Sequence, residues 1–344
     1  MQSMQMTRDE FRNAVFKRDN NRCIICGGIG QDAHHIMERR LFVDGGYHVD
    51  NGATLCGQHH LDAESTILSC EEIRTATGIK NIVLPSHLYP DDVYDKWGNP
   101  CLPNGQRMRG ELFYDESVQK ILASVLSCFT KYVKYPRTYH LPWSQGATAD
   151  DRVLSEISQF EGKEVVVTEK MDGECTQMYR GYMHARSIDS RHHPSRDWVK
   201  NLHAKIEWAI PEGWRISGEN LFAVHSIRYD ALPSYFMVFS IWDDLNICLS
   251  WDETVEYCQI LGLQHVPVLF RGVFDEDSLI RNYSPDRLVG HEGYVVRVSD
   301  RFSFSQFKNN VAKFVRADHV THGHWMHGPI ERNGLKDVPP HSKK

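Results

Sequence analysis

A lysine closes the apolar run Val165-Val166-Val167-Thr168-Glu169-Lys170, and the turn residues Asp172-Gly173 follow it. In that setting an amine can do covalent chemistry. The valines and Thr168 read as a buried strand. Burial at the strand end disfavours the ammonium, lowers its pKa and exposes a nucleophile. The string equally fits a surface lysine ahead of a hairpin, so residues elsewhere must decide. A second reactive group lies near the N-terminus, where Cys23-Ile24-Ile25-Cys26 is answered by Cys56-Gly57-Gln58-His59. A lone Cys-x-x-Cys would also fit a redox pair. Met by a later Cys-x-x-His, it has the spacing of a tetrahedral structural zinc site. The expected ligands are Cys23, Cys26, Cys56 and His59.

Downstream residues support the lysine. Ser217-Gly218-Glu219-Asn220 puts an acid after a glycine, and 235–242 (YFMVFSIW) is an apolar strand ending in Asp243-Asp244. Glu292-Gly293-Tyr294-Val295 follows, then Val311-Ala312-Lys313-Phe314-Val315-Arg316. Lysine, acid, aromatic strand, acid and basic strand, in that order, resemble the ATP-dependent RNA ligases of the phage RNA ligase 2 type, over 134–335. The strings Tyr135-Pro136-Arg137-Thr138, His225-Ser226-Ile227 and His324-Trp325-Met326 are similar to that family too.

The resemblance implies that Lys170 attacks the α-phosphorus of ATP and becomes lysyl-AMP. AMP then passes to a 5′-phosphate end, and a 3′-hydroxyl displaces it. It also implies a nucleotide site built from Glu169, Lys170, Arg186, Glu219, Phe239, Glu292 and Lys313. Within that site Glu219 holds the ribose and Phe239 stacks on adenine. Arg186 meets the nucleotide or the 5′-phosphate, and Lys313 meets the α-phosphate. Glu292 helps bind Mg²⁺ (or Mn²⁺), a hard cation suited to oxygen ligands and phosphates. Relatives often carry a second cation in the last motif, which here is Lys308 or Arg316.

Inside the zinc frame, His34-His35, Asn51 and His60 resemble an HNH nuclease. The resemblance implies that His35 is the general base, since imidazole titrates near neutrality. It makes His34 and His60 the ligands of a catalytic metal that polarises the phosphate. Asn51 would orient His35 through a backbone contact. A zinc-bound module of this kind can also serve as a non-catalytic grip on nucleic acid.

These sites organise an α+β chain. Residues 1–78 are expected to form a zinc-bound ββα HNH module, with a short helix over 9–18. Residues 79–133 read as an irregular connector over 79–111, rich in Pro, Gly, Asp and Asn, and then a linker helix over 115–132 that packs on the ligase domain. The ligase domain, 134–335, is expected as ATP-grasp-like antiparallel sheets with flanking helices, one of them over 254–261. A flexible tail, 336–344, is polar and carries Pro339-Pro340. Too little chain follows Lys313 for the OB-fold domain of DNA ligases.

A formal charge of −6 argues against a free-standing nonspecific nucleic-acid binder but is compatible with a local basic groove. Arg39-Arg40 is a candidate phosphate contact, or else a solvated surface pair. Nine cysteines, three of them assigned to zinc, show no disulfide spacing, which suits a reducing cytoplasm. No stretch reads as membrane-spanning, and residues 1–8 lack a signal-peptide core. The expected partner is RNA, as a nicked duplex or single-strand ends, with DNA open for the HNH domain. HNH hydrolysis leaves a 5′-phosphate and a 3′-hydroxyl, the ends such a ligase joins. A bifunctional nuclease–ligase follows. The alternatives are a ligase with a docking module, and an AMP transferase that does not seal strands.

Overall fold

A capping box opens helix α1 (Arg8–Arg18): Thr7 Oγ1 accepts from the Glu10 amide at 3.3 Å, and Glu10 accepts from the Thr7 amide at 2.8 Å. The structure is a computed structural model that describes residues 6–188, 190–317 and 330–336. It divides into two units, Met1–Val133 and Lys134–Lys344. The strings His324-Trp325-Met326 and Pro339-Pro340 lie outside the described residues.

In the first unit α1 turns Phe11 and Val15 inward. They meet an antiparallel hairpin of β1 (Asp32–His35) and β2 (Gly52–Leu55), in which His34 pairs with Ala53 and His35 with Gly52. Helix α2 (Gly57–Glu64) follows β2 directly and completes a ββα unit. Helix α3 (Cys70–Thr77) starts at a second capping box, Ser69 with Glu72, and stops at Gly78, whose φ of 73° suits glycine.

The segment after 78 differs from the expected connector. Strands β3 (Val93–Tyr94) and β4 (Pro100–Cys101) form a small hairpin. Tyr94 joins the core of Cys23, Ile36, Leu55 and Ile73, and Ile79, Leu84 and Leu88 pack against it. The expected linker helix is also corrected. Helix α4 covers only Glu116–Ile121, and 3₁₀ turns continue over Ala123–Cys128. Its apolar residues Val118 and Leu122 pack on Trp97 and Phe113, inside the first unit. Arg107 captures the far end: its amide donates to Cys128 O at 2.9 Å, and Thr130's amide donates to Arg107 O at 2.8 Å. Helical spacing does not separate an α-helix from a 3₁₀ run, and this tertiary pairing selects the tighter turn.

Among its described residues, the second unit contains two sheets. The first has the order β13 (Val268–Val273), β6 (Glu164–Lys170), β14 (Gly293–Val298), β16 (Val311–Val315) and β5 (Tyr139–His140). All its pairings are antiparallel except β16 with β5. The second sheet has the order β15 (Phe302–Ser303), β11 (Ile247–Cys248), β10 (Phe236–Trp242), β9 (Arg215–Asn220), β7 (Glu174–Tyr179) and β8 (Tyr182–His184). There β12 (Gln264–His265) runs parallel to β10. Helices α5 (Asp197–Ile206), α6 (Trp251–Leu261), α7 (Glu276–Asn282) and α8 (Phe307–Asn310) flank the sheets.

Strand β10 shows how the layers form. Phe236 and Val238 join Val199 and Ile206 of α5 and Cys258 of α6 on one face. Met237 joins Val166 of β6 and Val266 on the other. A period of two sends successive residues to opposite faces, so one strand serves both cores. Among the described residues, no helix is long and apolar enough to cross a membrane.

Candidate active sites

Lys170 is the last residue of β6, paired with Gly293 at the start of β14. Glu292, just before that strand, therefore falls beside it, and Lys170 Nζ lies 2.6 Å from Glu292 Oε1. Glycine is required at 293, because a Cβ there would come 1.9 Å from Phe314 O on β16. Gly173 makes a similar approach on the other side. A Cβ there would meet Asn220 O at 2.5 Å and Glu219 Cγ at 3.0 Å, so its absence lets the turn lie against β9. Between them Asp172 is buried, and its Oδ2 accepts from the amides of Ser226 and Ile227 at 2.7 Å each. Those amides belong to the His225-Ser226-Ile227 string.

Lys170 and Gly173 open on a cavity of about 680 Å³, within the roughly 300–1,000 Å³ of ligand sites, while Glu292 and Asp172 do not line it. Its walls include Glu169, Lys170, Arg186, Glu219, Phe239 and Lys313. Phe239 sits at a β-bulge: Val238 pairs with Gly218 and Ser240 with Ser217, which leaves Phe239 unpaired between them. Its ring meets Tyr135 edge-on at 5.0 Å. Lys313 reaches the cavity from β16, across from Val295. Arg186 is exposed, and Glu169 accepts from His291 Nδ1 at 2.7 Å. Neither Lys308 nor Arg316 lines the cavity. Lys308 Nζ lies 5.8 Å from the Tyr139 ring, and the Arg316 guanidinium donates to Leu288 O. Glu292, paired with Lys170 at the cavity's edge, supplies a hard oxygen donor suited to a magnesium ion.

The charge state of Lys170 corrects the sequence expectation. Burial pushes the ammonium down, but the carboxylates of Glu292, Glu219 and Asp172 outweigh it, and the net shift is upward. Burial raises Glu219 to about 8, against the opposing pull of Lys170. Lys313 is lowered, first by burial and then by Lys170. The cavity also presents Asp150 and Asp151, which sequence reasoning missed. The adjacent acids after Gly146-Ala147-Thr148 were the available signal.

In the first unit the donor atoms of Cys23, Cys26, Cys56 and His59 all lie within 4.8 Å of one another. Cys26 Sγ and Cys56 Sγ are 3.9 Å apart, and His59 Nδ1 is 3.2 Å from Cys56 Sγ and 3.5 Å from Cys23 Sγ. A tetrahedron with Zn–S bonds of about 2.3 Å has edges near about 3.7 Å, so the cluster fits zinc. Burial pushes the Cys23 thiol up, but donation from the backbone of Cys26, Cys56 and Ile25 carries it down to about 6.

A second cluster joins His34, His60 and Glu64, also within 4.8 Å. Glu64 was missed, although it stands one turn beyond His60 on the same helix face. His34 faces the cluster with Nδ1, 3.3 Å from His60 Nδ1 and 3.5 Å from Glu64 Oε1, a donor set that fits a metal ion. Burial, then Lys96, holds His34 well below the usual imidazole range. Asn51 grips the backbone after β1: Oδ1 accepts from Met37 N at 2.9 Å, and Nδ2 donates to Met37 O and Gly46 O at 3.1 Å each. His35 does not join the cluster. Its ring stacks on Phe11 at 4.5 Å with Tyr47 edge-on at 5.2 Å. Burial and Lys96 lower it to about 4. Buried Lys96, another residue missed, donates to His35 O at 3.0 Å and lies 3.1 Å from Glu64 Oε1. Arg39 donates to Tyr47 Oη at 3.0 Å, and Arg40 pairs with Asp115 at 2.8 Å.

Residues 163–315 match the family model described as RNA ligase. No curated protein matches the chain. Among solved structures, the chain is similar to a putative ATP-dependent DNA ligase from Aquifex aeolicus, with 19% identity, 54% of this chain and 50% of that one covered, and a TM-score of 0.38. An archaeal ATP-dependent RNA ligase gives 15% identity, 54% and 48% coverage, and a TM-score of 0.38. An RNA ligase of Naegleria gruberi, a variant with ATP and Mn, gives 17% identity, 63% and 74% coverage, and a TM-score of 0.33. The chain spans about half the length of the first two.

Proposed function

We propose that the chain is an ATP-dependent RNA ligase, fused to a metal-dependent HNH endonuclease. In this reading 134–335 is the nucleotidyltransferase and 1–78 the zinc-bound HNH module. The observation that carries it is Lys170 at the end of β6, paired with Glu292 beside a cavity walled by Glu219, Phe239 and Lys313.

The lysine amine, after losing its proton, forms a P–N bond to the α-phosphorus of ATP as the α–β bridging P–O bond breaks and pyrophosphate leaves. The AMP then moves to a 5′-phosphate, freeing the lysine, and a 3′-hydroxyl displaces AMP to close the strand. A magnesium or manganese ion bound with the help of Glu292 would neutralise phosphate charge during these steps. The bulged Phe239 offers its ring to the base, Glu219 accepts from the ribose, and Lys313 supplies positive charge to the α-phosphate. Arg186 and Glu169 complete the nucleotide site. RNA is the proposed substrate, and the free thiols suit a reducing, cytoplasmic setting.

Incubation with α-labelled ATP and magnesium tests the reading. Wild type should give an acid-labile protein–AMP adduct that Lys170→Ala lacks. No adduct from folded wild type would sink it.

For the first unit, His34, His60 and Glu64 are the proposed holders of the catalytic metal, His35 the base and Asn51 the residue that sets its backbone. The enclosure of His35 between Phe11 and Tyr47 favours a second reading, a zinc module that only grips nucleic acid. Cleavage of RNA or DNA by wild type, lost in His35→Ala with sealing retained, supports the nuclease. No cleavage by wild type supports the grip.

A further inference from the structure

Strand β5 runs parallel to β16, and the register sets His140 beside Lys313. The chain then loops around the end of β16. Leu141 donates to Lys313 O and Gly146 to Val315 O, both at 2.8 Å. The loop returns Asp151 to the cavity wall, where its Oδ1 lies 3.6 Å from Lys313 Nζ and 3.3 Å from His140 Nε2. The other carboxylate oxygen accepts from Thr148, from the amide at 3.1 Å and the hydroxyl at 2.9 Å.

The imidazole is oriented from its far side. Val315 N donates to Ser144 Oγ at 2.9 Å, and Ser144 Oγ lies 2.7 Å from His140 Nδ1. Ser144 Oγ also lies 3.4 Å from Val315 O, so the serine ties the imidazole to the backbone of β16, while Nε2 faces Asp151 at ion-pair distance without a hydrogen bond. His140 is almost wholly buried, at 1% side-chain exposure, so its neighbours and not solvent set where the ring lies. A chain of groups thus runs from the backbone of β16, through Ser144, His140 and Asp151, and back to the lysine of the same strand. His140, Ser144 and Asp151 all lie upstream of the matched segment 163–315.

We propose that Asp151 and His140 are positioning residues for nucleotidyl transfer, acting through Lys313. Asp151, held by Thr148, fixes the ammonium on the cavity wall across β14 from Lys170, and His140 bounds the carboxylate on its other oxygen. A long lysine side chain otherwise samples many rotamers, and a misplacement of about 1 Å can cost on the order of 100-fold in rate. The inference rests on the nucleotidyltransferase reading above.

The test is single-turnover formation of the protein–AMP adduct from α-labelled ATP by the full chain. Wild type, Asp151→Asn, Lys313→Met and the double variant are compared at saturating ATP. Asp151→Asn should slow adduct formation on the order of 100-fold. The double variant should be no slower than Lys313→Met alone, because the aspartate has nothing left to position. A second variant, Ser144→Ala, leaves Asp151 and Lys313 in place. It should slow the same step about tenfold and also lose its effect in the Lys313→Met background. It carries the test if Asp151→Asn melts early. Rates within twofold of wild type for both, or losses that multiply with that of Lys313→Met, would overturn the inference while the ligase reading stands. No adduct from wild type would instead remove the ligase reading itself.

Discussion

His34 in the first unit is withdrawn from water and Lys170 in the second only partly, at 25% side-chain exposure, and they respond in opposite ways. His34 gives up its charge: burial, with Lys96 nearby, keeps the ring neutral, and Nδ1 faces His60 and Glu64. Lys170 keeps its charge, because Glu292, Glu219 and Asp172 outweigh burial. A neutral imidazole beside another histidine and a carboxylate is prepared for a metal ion. An ammonium locked to a carboxylate is prepared for an anionic substrate carrying its own cation. The first site is completed by what binds it, whereas the second is balanced before anything binds.

Metal removal should separate the two most sharply. Chelation of zinc is expected to cost the first unit on the order of 10 kcal/mol of folding free energy. Adduct formation by the second unit should persist once magnesium is resupplied. Far-UV circular dichroism with and without chelator, beside the α-labelled ATP assay, checks both halves. Simultaneous loss of the adduct would break the comparison.

Substitutions at the balanced site come next. Lys170→Ala should abolish the adduct. Glu292→Gln should slow it on the order of 1,000-fold, while leaving any cleavage by the first unit unchanged.

Acid unfolding sharpens the contrast from another side, because the second unit also holds histidines in the neutral form. Burial, then Lys313, lowers His140 to about 4, and burial lowers His184 to about 4. An unfolded histidine titrates near about 6.5, so between these values the unfolded chain binds more protons. Stability from these groups is therefore complete above about pH 6.5 and is lost as pH falls toward about 4, by roughly 3 kcal/mol each. Urea midpoints across that window, for wild type and His184→Gln, read the effect. A variant with an unchanged pH slope would remove His184 from the account.

The smallest expected effect is steric. Gly173→Ala should destabilise the second unit by about 2 kcal/mol, since its Cβ would meet Asn220 O at 2.5 Å. Thermal unfolding of the second unit measures it.

The legible part of the molecule was what neighbouring residues decide. The Cys-x-x-Cys and Cys-x-x-His spacings each set one pair of donors by local sequence, the first just before β1 and the second at the start of α2. The strand of β6 and the aromatic strand of β10 followed from their apolar runs. Partners delivered by distant pairing were not legible. Nothing near Lys170 announces that Glu219 and Glu292 will reverse the effect of burial on its charge. Lys96 arrives through the β3–β4 hairpin, in a segment whose prolines and glycines read as connector. Asp151 and His140 acquire meaning only through the parallel pairing of β5 with β16. Glu64 could have been read, since it lies one helical turn past His60.

The position of β6 has a consequence for motion. Strands on both sides hydrogen-bond it, so its amides should be among the slowest in the second unit to exchange with deuterium. Lys170 is thereby mounted on a part of the chain that opens only when the sheet does. Movements faster than that, on the microsecond to millisecond scale of loop closure, leave the lysine's backbone still, so in the proposed reaction the phosphates would have to come to Lys170.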